Sequence, residues 1–259
     1  MEPVERFAAL VRAPEADLRL DVAAFCISAS LRPGVDVDAW CRRLDDLAAT
    51  ASPTFAGVCA SLFTVEGFRG DTDDYSDPRN SFLDEVIERR RGIPITLAVL
   101  LIEVARRHDI AVQGVGMPGH FLVQEAGVPD CWCDPFHGGA RLDRAGCARL
   151  FAAVNGGARP LADTDLAPTP PRAILARMLT NLEHGRLGSE PRDAATLCSL
   201  HLAIPGIPLQ QHVELLRRFA GIGDPEQVAQ AYADIVARAP EPVASKLQAE
   251  ARLLRARWN

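Results

Sequence analysis

Residues 93–105 place apolar side chains on almost every side of a helical turn, broken only by Thr96 and Glu103. A helix on a protein surface shows one apolar stripe, whereas a helix apolar all round has to be enclosed by other elements. This segment, from Ile95 to about His108, is therefore expected to be the central helix of a domain. Pro94 suits its first turn, where the missing N–H would go unpaired in any case. The helix before it is expected over residues 82 to about 91, capped by Asn80 or Ser81 and ended by Gly92. Three short strand candidates follow, at residues 111–115, 120–124 and 131–134, separated by Gly-Met-Pro-Gly and Ala-Gly-Val-Pro turns. The pattern predicts an α+β fold in which a central helix lies on a small antiparallel sheet.

The flanks read as helical. Apolar residues recur at three- and four-residue spacing over 4–11, 18–31 and 37–49, punctuated by Pro14, Pro33 and Pro53. Residues 70–79 are acidic and rich in turn formers, which predicts a solvated loop. A further helix is expected over 143–155, then a Gly/Pro/Asp-rich linker over 156–171. From Ile174 onward the chain is helical with breaks near Gly188, Pro205-Gly206, 221–225 and Pro240-Glu-Pro242, spaced as degenerate tetratricopeptide units would be. The expected division is residues 1–158, N-terminal helices plus the helix-and-sheet core, and 168–259, an all-α appendage. A chain of 259 residues with 48% hydrophobic content can support it.

A net charge of -6, from 34 acidic and 28 basic residues, gives no long-range attraction to phosphate backbones or anionic lipid, so neither nucleic acid nor membrane is an expected partner. The first twenty residues lack the basic start and unbroken apolar run of a secretory signal, and no stretch reaches the roughly 18 apolar residues of a membrane span. The seven cysteines are scattered without the spacing of a zinc site or a disulfide framework. A cytoplasmic protein with reduced thiols is expected, of a size that leaves its oligomeric state open.

Three stretches carry a more specific signal: Asn80-Ser-Phe-Leu-Asp-Glu-Val-Ile-Glu-Arg-Arg-Arg-Gly-Ile-Pro-Ile-Thr-Leu-Ala98, Gly116-Met-Pro-Gly-His-Phe-Leu-Val123, and Asp134-Pro-Phe136 with Gly138-Gly139. Together they resemble the SirB-type transglutaminase-like family, and Ile174-Leu-Ala-Arg-Met-Leu-Thr-Asn-Leu182 resembles the start of that family's tetratricopeptide-like tail. The resemblance implies a papain/transglutaminase-like core with a triad: cysteine at the central helix N-terminus, histidine on one strand, aspartate on the next. The chemistry is well founded, because a helix N-terminus and a neighbouring imidazole both favour a thiolate. His120 and Asp134 match the second and third positions. The first corresponds to Gly92-Ile93-Pro94, and proline has no nucleophile.

The resemblance thus implies vestigial triad positions at Pro94, His120 and Asp134 and no catalysis. The binding residues expected are His120, Asp134, Asn80 and Phe136, and the expected partner is a protein or peptide, with no cofactor and no metal. Alternatives stay open. Thr96 is roughly 200° around the helix from Pro94, and Cys133 and Cys131 share a strand face opposite Asp134, so none is well placed as a displaced nucleophile in a hydrolase or acyl-transferase. His120, Asp134 and His137 are ligand types without a diagnostic spacing. The loop at 71–82 lacks the glycine and glutamate of a calcium loop, having Ser76 and Phe82 in their places. His120 and Asp134 could also be a buried pair kept for packing, or the chain a structural subunit of a complex. Arg89, Arg90 and Arg91 are expected to complement a helix C-terminus, one of them pairing with Asp84 or Glu85.

Overall fold

The structure, a computed structural model, describes residues 1–184, 191–237 and 239–258; the expected break near Gly188 lies outside them. The chain opens with α1 (Pro3–Arg12), α2 (Leu20–Leu31), α3 (Val37–Ala49) and α4 (Phe55–Cys59), the last continuing into a π-helical turn at Ala60–Val65. The two amphipathic helices turn Phe7 and Val11, and Val37, Leu44 and Leu47, inward. The Asp36 carboxylate accepts the free N–H groups of Asp38 and Ala39 at the start of α3, both at 3.0 Å.

Next come β1 (Arg69–Gly70), α5 (Leu83–Arg89), β2 (Arg91–Gly92) and α6 (Pro94–Arg106). Arg90 ends α5 in the left-handed region at φ 56°, which turns the chain directly into β2. That strand pairs parallel with β1, Arg69 opposite Arg91 and Gly70 opposite Gly92. The helix-break-helix is present, but α5 stops two residues before the sequence pattern suggests, because Arg91 and Gly92 are drawn into the ribbon.

α6 is the enclosed helix, with Leu97 to Leu101 all at 0% exposure. It packs on α2, α3, α4, α5 and a five-stranded antiparallel sheet. The strands are β3 (Val112–Val115), β4 (Leu122–Glu125), β5 (Trp132–Asp134), β6 (Ala140–Leu142) and β7 (Pro168–Thr169), in the order β6-β5-β4-β3-β7. Alternation sorts the sheet's side chains. Phe121, Val123 and Cys133 join the main core around α6, while Val115, Leu122 and Trp132 join a second cluster with Cys147 and Phe151 of α7 (Arg144–Asn155).

The tail consists of α8 (Pro171–His184), α9 (Pro191–Ala203), α10 (Leu209–Ile222), α11 (Pro225–Val236) and α12 (Glu241–Trp258), each packed on the next. Ile174, Leu175, Met178 and Leu179 of α8 belong to the main core, and the later helices close on their own cluster around Leu216, Phe219, Tyr232 and Leu247. Among the described residues no helix is long and apolar enough to cross a membrane.

Charge is buried at the C-terminal end of α6. Asp21 is 0% and Glu103 2% exposed. Arg107 donates to Asp21 at 2.8 Å and to Asp45 at 2.7 Å, Arg106 to Glu103 at 2.7 Å, and Arg19 to both Asp21 oxygens at 3.1 and 2.9 Å. Burial pushes the Asp21 carboxyl up, but the Arg19 and Arg107 bonds outweigh it and hold it below the ordinary range. Burial and the Asp21 charge push Glu103 above it.

Candidate functional site: a His-Asp-His cluster walled by aromatic rings

His120 owes its position to a turn. Met117-Pro118-Gly119-His120 has proline second and a glycine at φ 77° third, the signature of a type II turn, closed by the His120 N–H on the Met117 carbonyl at 2.9 Å. The turn takes up that N–H, so β4 begins at Leu122 and not at His120 as the sequence pattern suggests. Asp134 is the last residue of β5, and the Pro-Phe-His-Gly-Gly run after it makes the turn into β6, with Gly138 and Gly139 at φ 66° and 76°. The Asp134 Oδ1 accepts the backbone N–H of Phe136 at 3.0 Å and of His137 at 3.3 Å, which folds the turn over its own side chain.

The two turns meet at the carboxylate. His120 Nε2 lies 2.9 Å from Asp134 Oδ1, and His137 Nδ1 lies 2.7 Å from Oδ2. An ionised carboxylate only accepts, so both of these imidazole nitrogens carry the proton. Neutral His120 then keeps Nδ1 as an acceptor on its other side. Burial pushes the Asp134 carboxyl up, yet the bonds and charge of His120, and then of His137, bring it below the ordinary carboxylate range. His120 and Asp134 are buried, while the His137 side chain is 55% exposed.

The walls are aromatic. The His120 and His137 rings stack at 5.8 Å, Phe136 meets the His120 ring edge-on at 5.9 Å, and Tyr75 meets Phe136 at 5.9 Å. Phe136 lies against β1, where a Cβ on Gly70 would come within 2.5 Å of its ring. The same strand ties the site to the start of α6: the Gly70 N–H donates to the Phe136 carbonyl at 2.9 Å, and the Asp71 N–H to the Gly92 carbonyl at 3.1 Å.

The acidic loop is not simply solvated, contrary to expectation. Asp71 is 2% exposed and pairs with Arg89, while Arg91 pairs with Asp73 at 2.5 Å and Arg90 with Glu66 at 2.8 Å. Asp84 and Glu85 go instead to Arg32. Arg89 and Arg91 therefore staple the loop, Arg90 holds Glu66 ahead of it, and among the described residues none of the three pairs with its own helix. Asn80 is fully buried in this network, its amide donating to the Asp74 carbonyl at 2.8 Å and accepting from Arg89 at 3.1 Å. Its hydrogen bonds fix the residue next to Tyr75.

Two other candidate nucleophiles are buried. Thr96 is fully buried, and its hydroxyl has no partner among the described residues. Cys133 faces the main core, with its sulfur 3.8 Å from that of Cys59; that contact and burial push its thiol up. Pro94 occupies the first turn of α6 and is buried. The ligand atoms of His120, Asp134 and His137 fall within 4.8 Å of one another. A cation there would have to displace the two imidazole protons that now face the carboxylate.

Sequence reasoning passed over Tyr75 and Arg177. Arg177, on α8, donates to the His120 carbonyl at 2.9 Å and lies over the Phe121 ring at 5.3 Å. Its one signal in the sequence is a charge between Ile174 and Met178, inside an otherwise apolar stripe.

The model of the transglutaminase-like superfamily matches residues 36–180. A UPF0162 protein of Xylella fastidiosa is 43% identical over 151 residues, 56% of this chain and 53% of that one. A UPF0162 protein of Pseudomonas aeruginosa is 37% identical over 141 residues, 54% and 50%. F-box only protein 21 of Mus musculus is 36% identical over 82 residues, 32% of this chain and 12% of that one. The chain thus spans about half the length of the bacterial relatives it matches. No solved structure matches. With more than half of its length under that model, and the His120–Asp134 pair formed inside the matched span, the chain belongs to the transglutaminase-like superfamily.

Proposed function

We propose that this is a noncatalytic, SirB-type member of the superfamily that binds a protein or peptide in the cleft around His120. The observation that carries the reading is the pairing of an oriented imidazole and carboxylate with Pro94 at the first turn of α6. The position at which a helix N-terminus would activate a thiol holds a residue with no nucleophile. What is left is a polar floor with aromatic walls, the composition of a site that grips extended chain. His120 and Asp134 supply the floor, Phe136 and Tyr75 a wall, and Asn80 holds the Tyr75 loop. No cofactor enters this reading.

The domain division proposed is residues 1–158 for N-terminal helices plus the helix-and-sheet core and 168–259 for a tetratricopeptide-like appendage, which the consecutive packing of α8 through α12 supports, with β7 and α8 also packed on the first unit. Seven cysteines in thiol form suit the cytoplasm. The recurrence of an 82-residue part of this chain within a much longer F-box protein supports a module that works beside other modules.

The alternative reading is a hydrolase or acyl-transferase with a displaced nucleophile. The observation favouring it is His120 itself, whose Nδ1 is left as an acceptor while Asp134 holds Nε2. Two experiments separate the readings. Peptide display against the immobilised protein is expected to enrich sequences that bind the wild type and bind His120→Ala or Phe136→Ala at least tenfold more weakly. An electrophilic amide probe is expected to label no residue in a His120-dependent way; labelling of one residue that His120→Ala abolishes would establish the enzyme instead.

A further inference from the structure

Arg177 is a half-buried cation that no acid faces among the described residues. Asp21, Glu103, Asp71, Asp84 and Glu183 each have an arginine partner. Arg177 makes no ion pair among the described residues. One of its N–H groups meets the His120 carbonyl, its plane covers Phe121, and a Cβ built on Gly116 would lie 3.2 Å from its Nη1. Burial lowers its pKa. A half-buried guanidinium has lost part of its hydration, and a neutral carbonyl replaces that poorly. It also retains N–H donors in a planar fork that matches a carboxylate.

The position of this fork gives it meaning. Arg177 holds the backbone of His120, whose ring meets Phe136 edge-on, and Phe136 in turn meets Tyr75. We propose that Arg177 is a carboxylate-recognition residue of this cleft, so that the ligand presents a carboxylate, from a peptide C-terminus or an acidic side chain, between Arg177 and the Tyr75–Phe136 wall. The proposal rests on the binding reading above and narrows the ligand class. It also explains why an arginine stands in the apolar stripe of α8, where a leucine would pack without a desolvated charge.

The test follows the Arg177 Nε–Hε resonance in 15N-arginine-labelled full-length protein, assigned by its loss in Arg177→Met. Sodium acetate is titrated at constant ionic strength against chloride, followed by inorganic phosphate. Two short acetylated peptides are then compared, one with a free C-terminal carboxylate and one amidated but carrying a glutamate, each against a neutral amidated control. The expected result is a saturable acetate shift at Arg177 and His120, absent with chloride, and binding of a carboxylate peptide at least tenfold tighter than the control. The advantage should fall in Arg177→Lys and vanish in Arg177→Met, whose thermal unfolding shows it folded. Whichever peptide binds tighter identifies the source of the carboxylate. A linear, chloride-like response, a preference for phosphate over acetate, or selected peptides that bind Arg177→Met undiminished would overturn the assignment. In the last case the binding reading survives without it. A saturable acetate shift with no peptide selected by display would uphold Arg177 and refute peptide binding.

Discussion

Two buried ionic clusters in this molecule are built from similar residues and closed to different degrees. At the C-terminal end of α6, Asp21 and Glu103 are matched by Arg19, Arg106 and Arg107, and the carboxylate oxygens are met by guanidinium forks. Around Asp134, one carboxylate serves two imidazoles, and among the described residues His120 Nδ1 meets no donor and the neighbouring Arg177 meets a carbonyl and the Phe121 ring but no acid. The first cluster satisfies itself and joins α2, α3 and α6. The second holds hydrogen-bonding capacity that no described residue meets, and its His137 and Tyr75 are exposed. A closed cluster contributes stability and an open one contributes recognition.

The contrast predicts opposite responses to the same substitution. Arg107→Met leaves Asp21 and Glu103 short of a cation and is expected to lose about 3–5 kcal/mol in urea unfolding at pH 7. Arg177→Met removes an uncompensated charge and is expected to stay within about 1 kcal/mol of wild type, in either direction. Equal losses would erase the distinction between the clusters.

Asp134→Asn is next in size, with an expected loss of about 2 kcal/mol at pH 7 from weakened bonds to the two imidazoles and the Phe136 N–H. Because the folded Asp134 carboxyl titrates below its unfolded value, its contribution is complete above the ordinary carboxylate pKa of about 3.9 and is lost as pH falls through the folded value. Wild type and variant should therefore converge in stability in the acid limb, as pH falls below the ordinary carboxylate range. A gap that stays constant from pH 7 into that limb would mean the carboxylate charge is not what matters. Asn80→Ala should lose about 1–2 kcal/mol by leaving the Asp74 carbonyl and Arg89 short of a partner, and should speed proteolysis near Tyr75. The smallest effect is expected for His137→Ala, under about 1 kcal/mol because that ring is half in solvent. Its influence should appear in ligand affinity and not in the unfolding curve.

The enclosed helix and the three main strands were legible in the sequence from local signals, namely apolar residues all round a turn, alternation, and Pro-Gly punctuation, whereas the His120–Asp134 pair was expected from the family resemblance. β1, β2, β6 and β7 were not legible, because strands of two or three residues carry little or no period. The acidic loop was misread for a related reason. Asp71 looks like any loop aspartate until Arg89, eighteen residues later, folds against it. Tyr75 and Arg177 escaped because they reach the site from elements distant in sequence, and nothing near either residue in the chain indicates the His120 turn.

Replacing Pro94 by cysteine tests most directly whether this cleft is a transglutaminase-like site that lacks only its nucleophile. The N–H restored at the first helical turn can meet solvent or a neighbour, so the expected stability loss is on the order of 1 kcal/mol or less. The measurement is the pH dependence of alkylation at residue 94, in Pro94→Cys and in the same variant carrying His120→Ala. The expected result is a thiol titrating well below the ordinary value of about 8.5, moving back toward it when the imidazole is removed. A thiol at about 8.5 that is indifferent to His120 would show that Pro94 does not occupy the nucleophile position, and the noncatalytic reading would lose its basis.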